Sequence, residues 1–363
     1  MSRSSGRRVV LSVGESLAGA GGAARVAVTQ IGILREFGFD PVAVTPDSVA
    51  RHWRCARYPA LNAALLSWQI SQLARRAADA GTLLFSHGMC GARGGSGKVI
   101  QLHHGTFRGL AQACKARLSR RELLIMRGLN GLLEQLSSRS ATNVTVSGAV
   151  AGEVEQLYGV RDPRVIYNAV DTAHFAAGRQ SEVGRANSTF TGLCVGRMDY
   201  GKGRETVHRM GELLPSEYRL DLVAPHIQGD ASWPEGRMRA LGRVEYGQLP
   251  DVYASCDFVL VASRYEGFGL TLIEAWASGR PVVCSNVGVV PELRREEPAL
   301  DALVVDDPDD ARGFADRVRL LRENPEIGRR QVEWGRQVVA ERFSLFAYRA
   351  AWRQLLDQAA ILH

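Results

Sequence analysis

The stretch DFVLVASRYEGFGLTLIEAWASGRPVV, residues 257–283, reads as a strand, a loop, a helix and the start of a second strand. "DFVLVAS" is a short, nearly continuous apolar run, the pattern of a strand buried on both faces. "RYEGFG" follows at its carboxyl end, and "LTLIEAWASG" carries a helical pattern closed by Gly279. Buried strand, glycine loop and helix form the repeating unit of a doubly wound parallel sheet. Two carboxylates, Glu266 and Glu274, sit in this unit, one in the loop and one in the first turn expected for the helix.

The same alternation runs outward in both directions. Before it, "RVVLSV" (8–13), "PVAV" (41–44), "TLLFSH" (82–87), "KVIQLHH" (98–104) and "TNVTVS" (142–147) read as strands with helical segments between them. Residues 172–189, "TAHFAAGRQSEVGRANST", are small and polar and read as a linker. A second set follows: "TGLCVGRM" (191–198), "RLDLVAP" (219–225), "DFVLVAS", "PVVCSN" (281–286) and "ALVVDD" (302–307). The fold class expected is α/β, with two doubly wound Rossmann-like domains facing each other across a cleft. Residues 1–178 and 179–343 are the two domains. Ligands of such sheets bind beyond the carboxyl ends of the strands.

Composition narrows the function classes. At 363 residues, 45% hydrophobic and 23% charged, the chain is long enough for two cores and has no low-complexity tract. A formal charge of +7 suits a polyanionic partner: a phosphorylated small substrate, an acidic membrane surface or nucleic acid. No DNA or RNA module is recognisable, so a nucleic-acid partner is not expected. Six scattered cysteines without a CxxC pair point to reduced thiols, not zinc or disulfides, and to a cytoplasmic protein. The apolar run near the N-terminus stops at Glu15, too short for a signal peptide.

Two nucleotide motifs nearly match. "GAGGAA" (19–24) fits G-x-G-x-x-A, but the acidic residue expected about twenty positions on, at the end of the second strand, is missing. An NAD-dependent oxidoreductase is therefore the runner-up. "GMCGARGGSGKV" (88–99) fails as a P-loop, with Ala92 at the first glycine and Val99 at the magnesium-binding hydroxyl. Gly21 and Gly22 remain a strand-to-helix turn that either approaches a phosphate or only needs positive φ. In "VGRMDYGKG" Arg197 and Lys202 lie just past a strand, either gripping a diphosphate or simply solvated. Gly267 and Gly269 let backbone come close to a ligand, and Glu274 either accepts from vicinal hydroxyls or closes a capping box with Thr271.

Taken together, Arg197, Lys202, the E-x7-E pair and "ASGRPVVCSNVGVVPEL" (277–293) resemble the donor-binding domain of GT-B, family 4-type retaining glycosyltransferases (glycosyl transferases group 1). The resemblance extends over nearly the whole chain, through "GAGGAARVA", "VIQLHHGT" and "VTVSGAVAGEVEQLYGV…VIYNAVD". It departs at Ala169, Ala262, Val289 and Val290.

The resemblance implies transfer of a sugar from a nucleotide-diphosphate sugar to a hydroxyl acceptor, with no cofactor and no metal. Arg197, Lys202, Glu266 and His104 are implied as catalytic. Gly21, Gly22, Gly267, Phe268, Gly269, Leu270 and Glu274 are implied as donor- or nucleotide-binding. His103, one residue before His104, is expected on the opposite face of its strand, and His87 is a weaker candidate than His104. A C-terminal helix, residues 344–363, is implied to cross back to the first domain.

The acceptor is expected to be a glycan or glycolipid in cell-surface glycan or lipopolysaccharide assembly, with a small natural product as the alternative. "KARLSRRELLIMRGLNGLLEQLSSRS" (115–140) reads as one helix with Leu118, Ile125, Leu129, Leu132 and Leu136 on one face and a basic remainder. A core-facing helix is the favoured reading, and peripheral contact with the inner face of a membrane is the alternative.

Overall fold

The computed structural model of the chain describes residues 7–19, 21–50, 59–79, 81–91, 98–139, 141–178, 189–225, 227, 233 and 236–358. Ala20, Cys55, Ala92, positions 179–188 of the expected linker and positions 359–363 of the expected C-terminal helix lie outside these. The chain folds as two units: Met1–Tyr167 with Ala351–His363, and Asn168–Ala350.

The first unit is built on six strands among the described residues. They are β1 (Arg7–Ser12), β2 (Phe39–Val44), β3 (Leu83–His87), β4 (Val99–His103), β5 (Thr142–Thr145) and β6 (Arg164–Val165), in the order β2-β1-β3-β4-β5-β6. Every pairing is parallel. Val9, Val10 and Leu11 have no exposure at all, as a strand covered by helices on both faces requires. Strand order reverses beside β1, so the loop after β1 and the end of β3 meet at a topological switch point.

The second unit repeats the plan with β7 (Phe190–Val195), β8 (Tyr218–Val223), β9 (Met238–Gly242), β10 (Phe258–Val261), β11 (Val282–Ser285) and β12 (Val304–Val305). Their order is β12-β11-β10-β7-β8-β9, again all parallel. Its core gathers Leu220, Leu222, Phe258, Leu260 and Val283 from the sheet with Val207, Met210, Phe314 and Val318 from covering helices. Here the order reverses beside β7, which brings the loops after β7 and β10 together. The two doubly wound sheets are those the alternation implied.

Three local expectations are corrected. Residues 115–140 do not form one helix: Arg120–Leu124 and Gly131–Ser138 are α-helical, and Ile125–Asn130 between them is a π-helix. Wider π turns rotate the following residues away from a 3.6-residue repeat. Met126, Asn130, Glu134 and Ser138 turn inward, while Leu124 is 73% exposed and Leu129 and Leu132 are exposed with it. Of the row read from the sequence, Leu129 and Leu132 are exposed while Leu118, Ile125 and Leu136 are half-buried, so the row does not face the core as one stripe.

The segment read as a linker begins with a helix, Thr172–Ala176, capped by the Asp171 carboxylate on His174 N–H and anchored by fully buried Phe175. Phe175 packs edge-on against Tyr253 and Tyr246. Strands β6 and β9 were not anticipated.

The C-terminal helix spans Leu345–Gln358. Its later half belongs to the first unit, where the Trp352 ring lies 5.5 Å from Phe85 and Arg353 covers Phe37.

Candidate active site

In the second unit the switch point joins two loops. After β7 the chain makes a 3-10 turn, Tyr200–Lys202, closed at Asp199, whose side chain accepts from Lys202 N–H at 3.0 Å. Gly203 follows at φ 76°, and a Cβ there would overlap the carbonyl oxygen of Ala262 at the exit of β10. Only glycine lets the turn lie this close.

The turn thereby delivers Lys202 to Glu266. Lys202 Nζ stands 2.6 Å from Glu266 Oε1, and the Ser263 hydroxyl donates to the same oxygen at 2.7 Å. Glu266 Oε2 has no hydrogen-bond partner among the described residues. The carboxylate is 15% exposed and the lysine 27%, so their attraction is only partly screened. Arg197 is not drawn into this cluster. Its side chain is 73% exposed and, among the described residues, its guanidinium approaches only Asp199, at 3.4 Å.

Sequence reasoning missed the residue that holds these loops together, Arg264. Its backbone N–H donates to Gly201 O at 2.8 Å, and its guanidinium donates to Tyr200 O at 2.6 Å. The guanidinium also stacks 3.9 Å from the centre of the Tyr200 ring and pairs with Asp309 and Glu205. Its side chain is 4% exposed. An arginine directly before the E-x7-E loop was the available signal, but nothing local distinguishes it from a solvated cation.

Beyond Glu266 the loop turns into the helix Leu270–Ala277. Gly269 is its N-cap, at φ 105°, with no side-chain cap. Glu274 is the fifth residue of this eight-residue helix, beyond the first turn, so no capping box with Thr271 exists. Instead Glu274 is 2% exposed and accepts from the Tyr253 hydroxyl at 2.7 Å. The Phe268 side chain is buried edge-on against Phe343, leaving its backbone for other partners. Phe268 O accepts from Val289 N–H at 2.9 Å, and Gly288 at φ 64° leaves room for that carbonyl. The two valines close this turn with Val289 fully buried.

In the first unit the site residues cluster at the carboxyl ends of β1, β3 and β4. The Glu15 carboxylate accepts from Ala24 N–H at 3.2 Å and lies against Gly21. The start of the helix Gly22–Glu36 is thus supplied with an anion by the chain itself. His104 follows β4 and is half-buried, with Nε2 2.8 Å from His87 Nδ1. Burial first, then the neighbouring His103, holds His104 down at about 4, and burial with His104 holds His87 far below the usual imidazole range. Both rings are neutral near pH 7.

His103 does face the other way, fully buried, with Nε2 3.0 Å from Asn143 Oδ1 and Nδ1 3.9 Å from Glu134. Glu134, itself buried, also accepts from Phe107 N–H and the Tyr158 hydroxyl.

Cys90, Cys114, Cys194, Cys256 and Cys284 are buried and form no disulfide, and burial pushes the Cys256 and Cys284 thiols up to about 12. Such thiols are not nucleophiles at neutral pH. Among the described residues no group of three or more His, Cys, Asp or Glu is placed to hold a metal ion.

Comparison with known proteins agrees with this architecture. The glycosyltransferase family 4 model matches residues 8–174 and the glycosyl transferases group 1 model residues 189–324, one on each sheet. The chain belongs to the family 4-type glycosyltransferases of GT-B fold. The O-antigen chain mannosyltransferase B of Escherichia coli is 37% identical over 130 residues, 32% of this chain and 33% of that protein. Sucrose-phosphate synthase from Thermosynechococcus elongatus has the same fold, with TM-score 0.75 and 19% identity over 98% of this chain and 99% of that one. HepE of Anabaena, solved with UDP-glucose, superposes at TM-score 0.70 with 17% identity over 97% and 99% of the two chains. Matches to the first curated relatives span between 33% and 54% of their own lengths.

Proposed function

We propose that the chain is a retaining glycosyltransferase that moves a sugar from a nucleotide-diphosphate sugar to a hydroxyl acceptor without a metal ion. The observation that carries this reading is the Lys202–Glu266 pair at the switch point of the second sheet. Oε1 of the carboxylate is occupied by Lys202 and Ser263, and Oε2 is left to accept from a ligand hydroxyl. A sugar hydroxyl is the matching donor.

Lys202 is the charge that meets the departing diphosphate. Its ammonium is oriented before any ligand arrives, so its interaction strengthens as the glycosidic bond breaks and charge collects on the phosphate oxygen. The N-terminus of the helix Leu270–Ala277, which lacks a side-chain cap, adds N–H groups of the same sign. Arg197 joins by swinging from Asp199, a small cost for an exposed pair. Glu274 takes the ribose hydroxyls, and His104 a hydroxyl of the donor sugar. The departing phosphate deprotonates the acceptor on the face it leaves, so the anomeric configuration is retained with no protein base. Gly21 and Gly22 approach a phosphate only if Glu15 withdraws from the helix start.

The acceptor reading is a glycan or glycolipid of the cell surface, as the mannosyltransferase relative suggests. Exposed Leu124, Leu129 and Leu132 beside exposed Arg120 and Arg127 suit a peripheral contact with an anionic membrane surface. No helix of the described residues is long and apolar enough to cross a membrane. Incubation with candidate nucleotide sugars and a lipid-linked acceptor in EDTA, with NMR of the product anomer, tests the proposal. Product with inverted configuration, or turnover that EDTA abolishes and magnesium restores, would sink it.

A further inference from the structure

In the first unit a cavity of about 290 Å³ opens between two helices, Pro59–Ala77 and Gly131–Ser138, and the loop after β3. Trp68, Ser71, Gln72 and Arg75 line it from the first helix, at the i, i+3, i+4, i+7 spacing of a single helical stripe. Leu133 and Ser137 come from the second helix, and Met89 and Gly91 from the loop. Gly91 is pressed so close to the second helix that a Cβ would overlap the Ser137 side chain, and its carbonyl accepts from the Ser71 hydroxyl at 2.9 Å. None of the residues implied as catalytic or donor-binding lines this cavity.

Its chemistry is not that of a packed seam between helices. Trp68 is 58% exposed, so its indole is presented to solvent at the cavity and not spent on the core. The Arg75 guanidinium makes no hydrogen bond, ion pair or ring contact with any described residue, and its Nε–H is buried with no acceptor. A buried N–H left unsatisfied is costly. Nε–H and one Nη–H form a side of the guanidinium fork that grips a carboxylate or phosphate with two parallel bonds. Among the described residues no acidic side chain lines the cavity, so the matching acid is a ligand's. The Ser71 and Ser137 hydroxyls give their protons to Gly91 O and Leu133 O, each at 2.9 Å, and keep lone pairs for a ligand hydroxyl.

Sites for drug-sized ligands run from roughly 300 to 1,000 Å³, so this cavity suits one ring with a small acidic group and is too small for a nucleotide sugar.

We propose that the cavity binds an acidic sugar unit, a pyranose bearing a carboxylate or a phosphate. Arg75 holds the acid group, Trp68 packs on the apolar C–H face of the ring, and Gln72 with the two serine oxygens meets the hydroxyls. That this sugar is a unit of the acceptor glycan rests on the glycosyltransferase reading; its binding does not.

The test is calorimetric titration of the full-length protein with glucuronate, glucose 6-phosphate, glucose and inorganic phosphate, repeated on Arg75→Gln, Trp68→Ala and Lys202→Ala. At least one of the two acidic sugars should bind about tenfold tighter than glucose, and which one does so separates a carboxylate ligand from a phosphate ligand. Arg75→Gln should lose about tenfold for that sugar, the scale of a hydrogen bond to a charged group. Arg75 has no partner to lose among the described residues, so this variant should melt with the parent. Trp68→Ala should weaken the same sugar, and Lys202→Ala should bind it as the parent does. The proposal is overturned if neither acidic sugar binds better than glucose, or if the preference survives in Arg75→Gln. Inorganic phosphate bound as tightly as a preferred glucose 6-phosphate would also overturn it, as would binding lost in Lys202→Ala and kept in Arg75→Gln. No step of this test requires sugar transfer, so its failure is distinct from failure of the glycosyltransferase reading.

Discussion

Lys202 and Glu266 lie 64 residues apart in sequence and meet at 2.6 Å, with Ser263 sharing the same carboxylate oxygen. The meeting depends on strand order. β7 and β10 are neighbours although two strands intervene in the chain, so the loops leaving them converge. On the proposed function, an arriving diphosphate would compete for the lysine while a sugar hydroxyl takes the second carboxylate oxygen.

Lys202→Ala should therefore lower kcat by about a hundredfold, the scale for losing one oriented donor to a developing oxyanion. Glu266→Gln keeps an acceptor for Ser263 but loses the charge, and should weaken donor binding about tenfold. Single-turnover rates and donor titrations separate the two. A Lys202→Ala variant with raised KM and parental kcat would show uniform binding instead.

Glu274 is buried with Tyr253 as a donor at 2.7 Å. Tyr253→Phe removes a partner from a buried carboxylate and should cost about 1–3 kcal/mol in urea denaturation. Glu274→Gln keeps an acceptor for the tyrosine, so its stability should change less while nucleotide binding weakens. Equal donor affinity in Glu274→Gln and parent would leave the glutamate a purely structural role.

Arg264 stacks on Tyr200 while donating to a carbonyl and pairing with Asp309. A lysine keeps the charge but has neither the planar face nor the fork. Arg264→Lys should loosen the Lys202 turn and reduce kcat by about tenfold or more, with nucleotide affinity changed less. Parental kcat in this variant would remove Arg264 from any positioning role.

The neutral histidines make stability depend on pH. His104 titrates at about 4 in the folded chain against an ordinary 6.5, and His87 is also lowered. Between those limits the unfolded chain binds more protons than the folded one, so stability falls as pH drops from 6.5 toward 4. Asp79 and Glu122, held low by Thr82 and Ser119, add loss of the same sign only in the range below their ordinary 3.8 and 4.5. Urea midpoints at pH 7 and about 5 read the histidines, and His104→Asn should flatten the slope. A midpoint that rises on acidification would contradict the neutral assignment.

Much of the fold was legible because buried parallel strands are short apolar runs separated by helical repeats. Strands β6 and β9 were not, for a common reason: both are edge strands, and "RV" and "MRALG" carry arginine where a central strand would be apolar. The π-helix at Ile125–Asn130 was invisible because a leucine row at helical spacing assumes 3.6 residues per turn. At the site, Lys202 and Glu266 were legible as residue types beside glycines, whereas their contact is a property of strand order. Arg264 and Tyr253 could not be singled out, since each matters only through a partner distant in sequence.

The most direct test of the central claim is the thermal shift of the parent and Lys202→Ala with UDP, GDP, ADP and TDP, all in EDTA. If Lys202 meets the diphosphate, at least one nucleotide raises the melting temperature of the parent without metal, and Lys202→Ala loses most of that rise while its ligand-free melting temperature stays near the parent's. No shift with any nucleotide, or an equal shift in the two proteins, would contradict it.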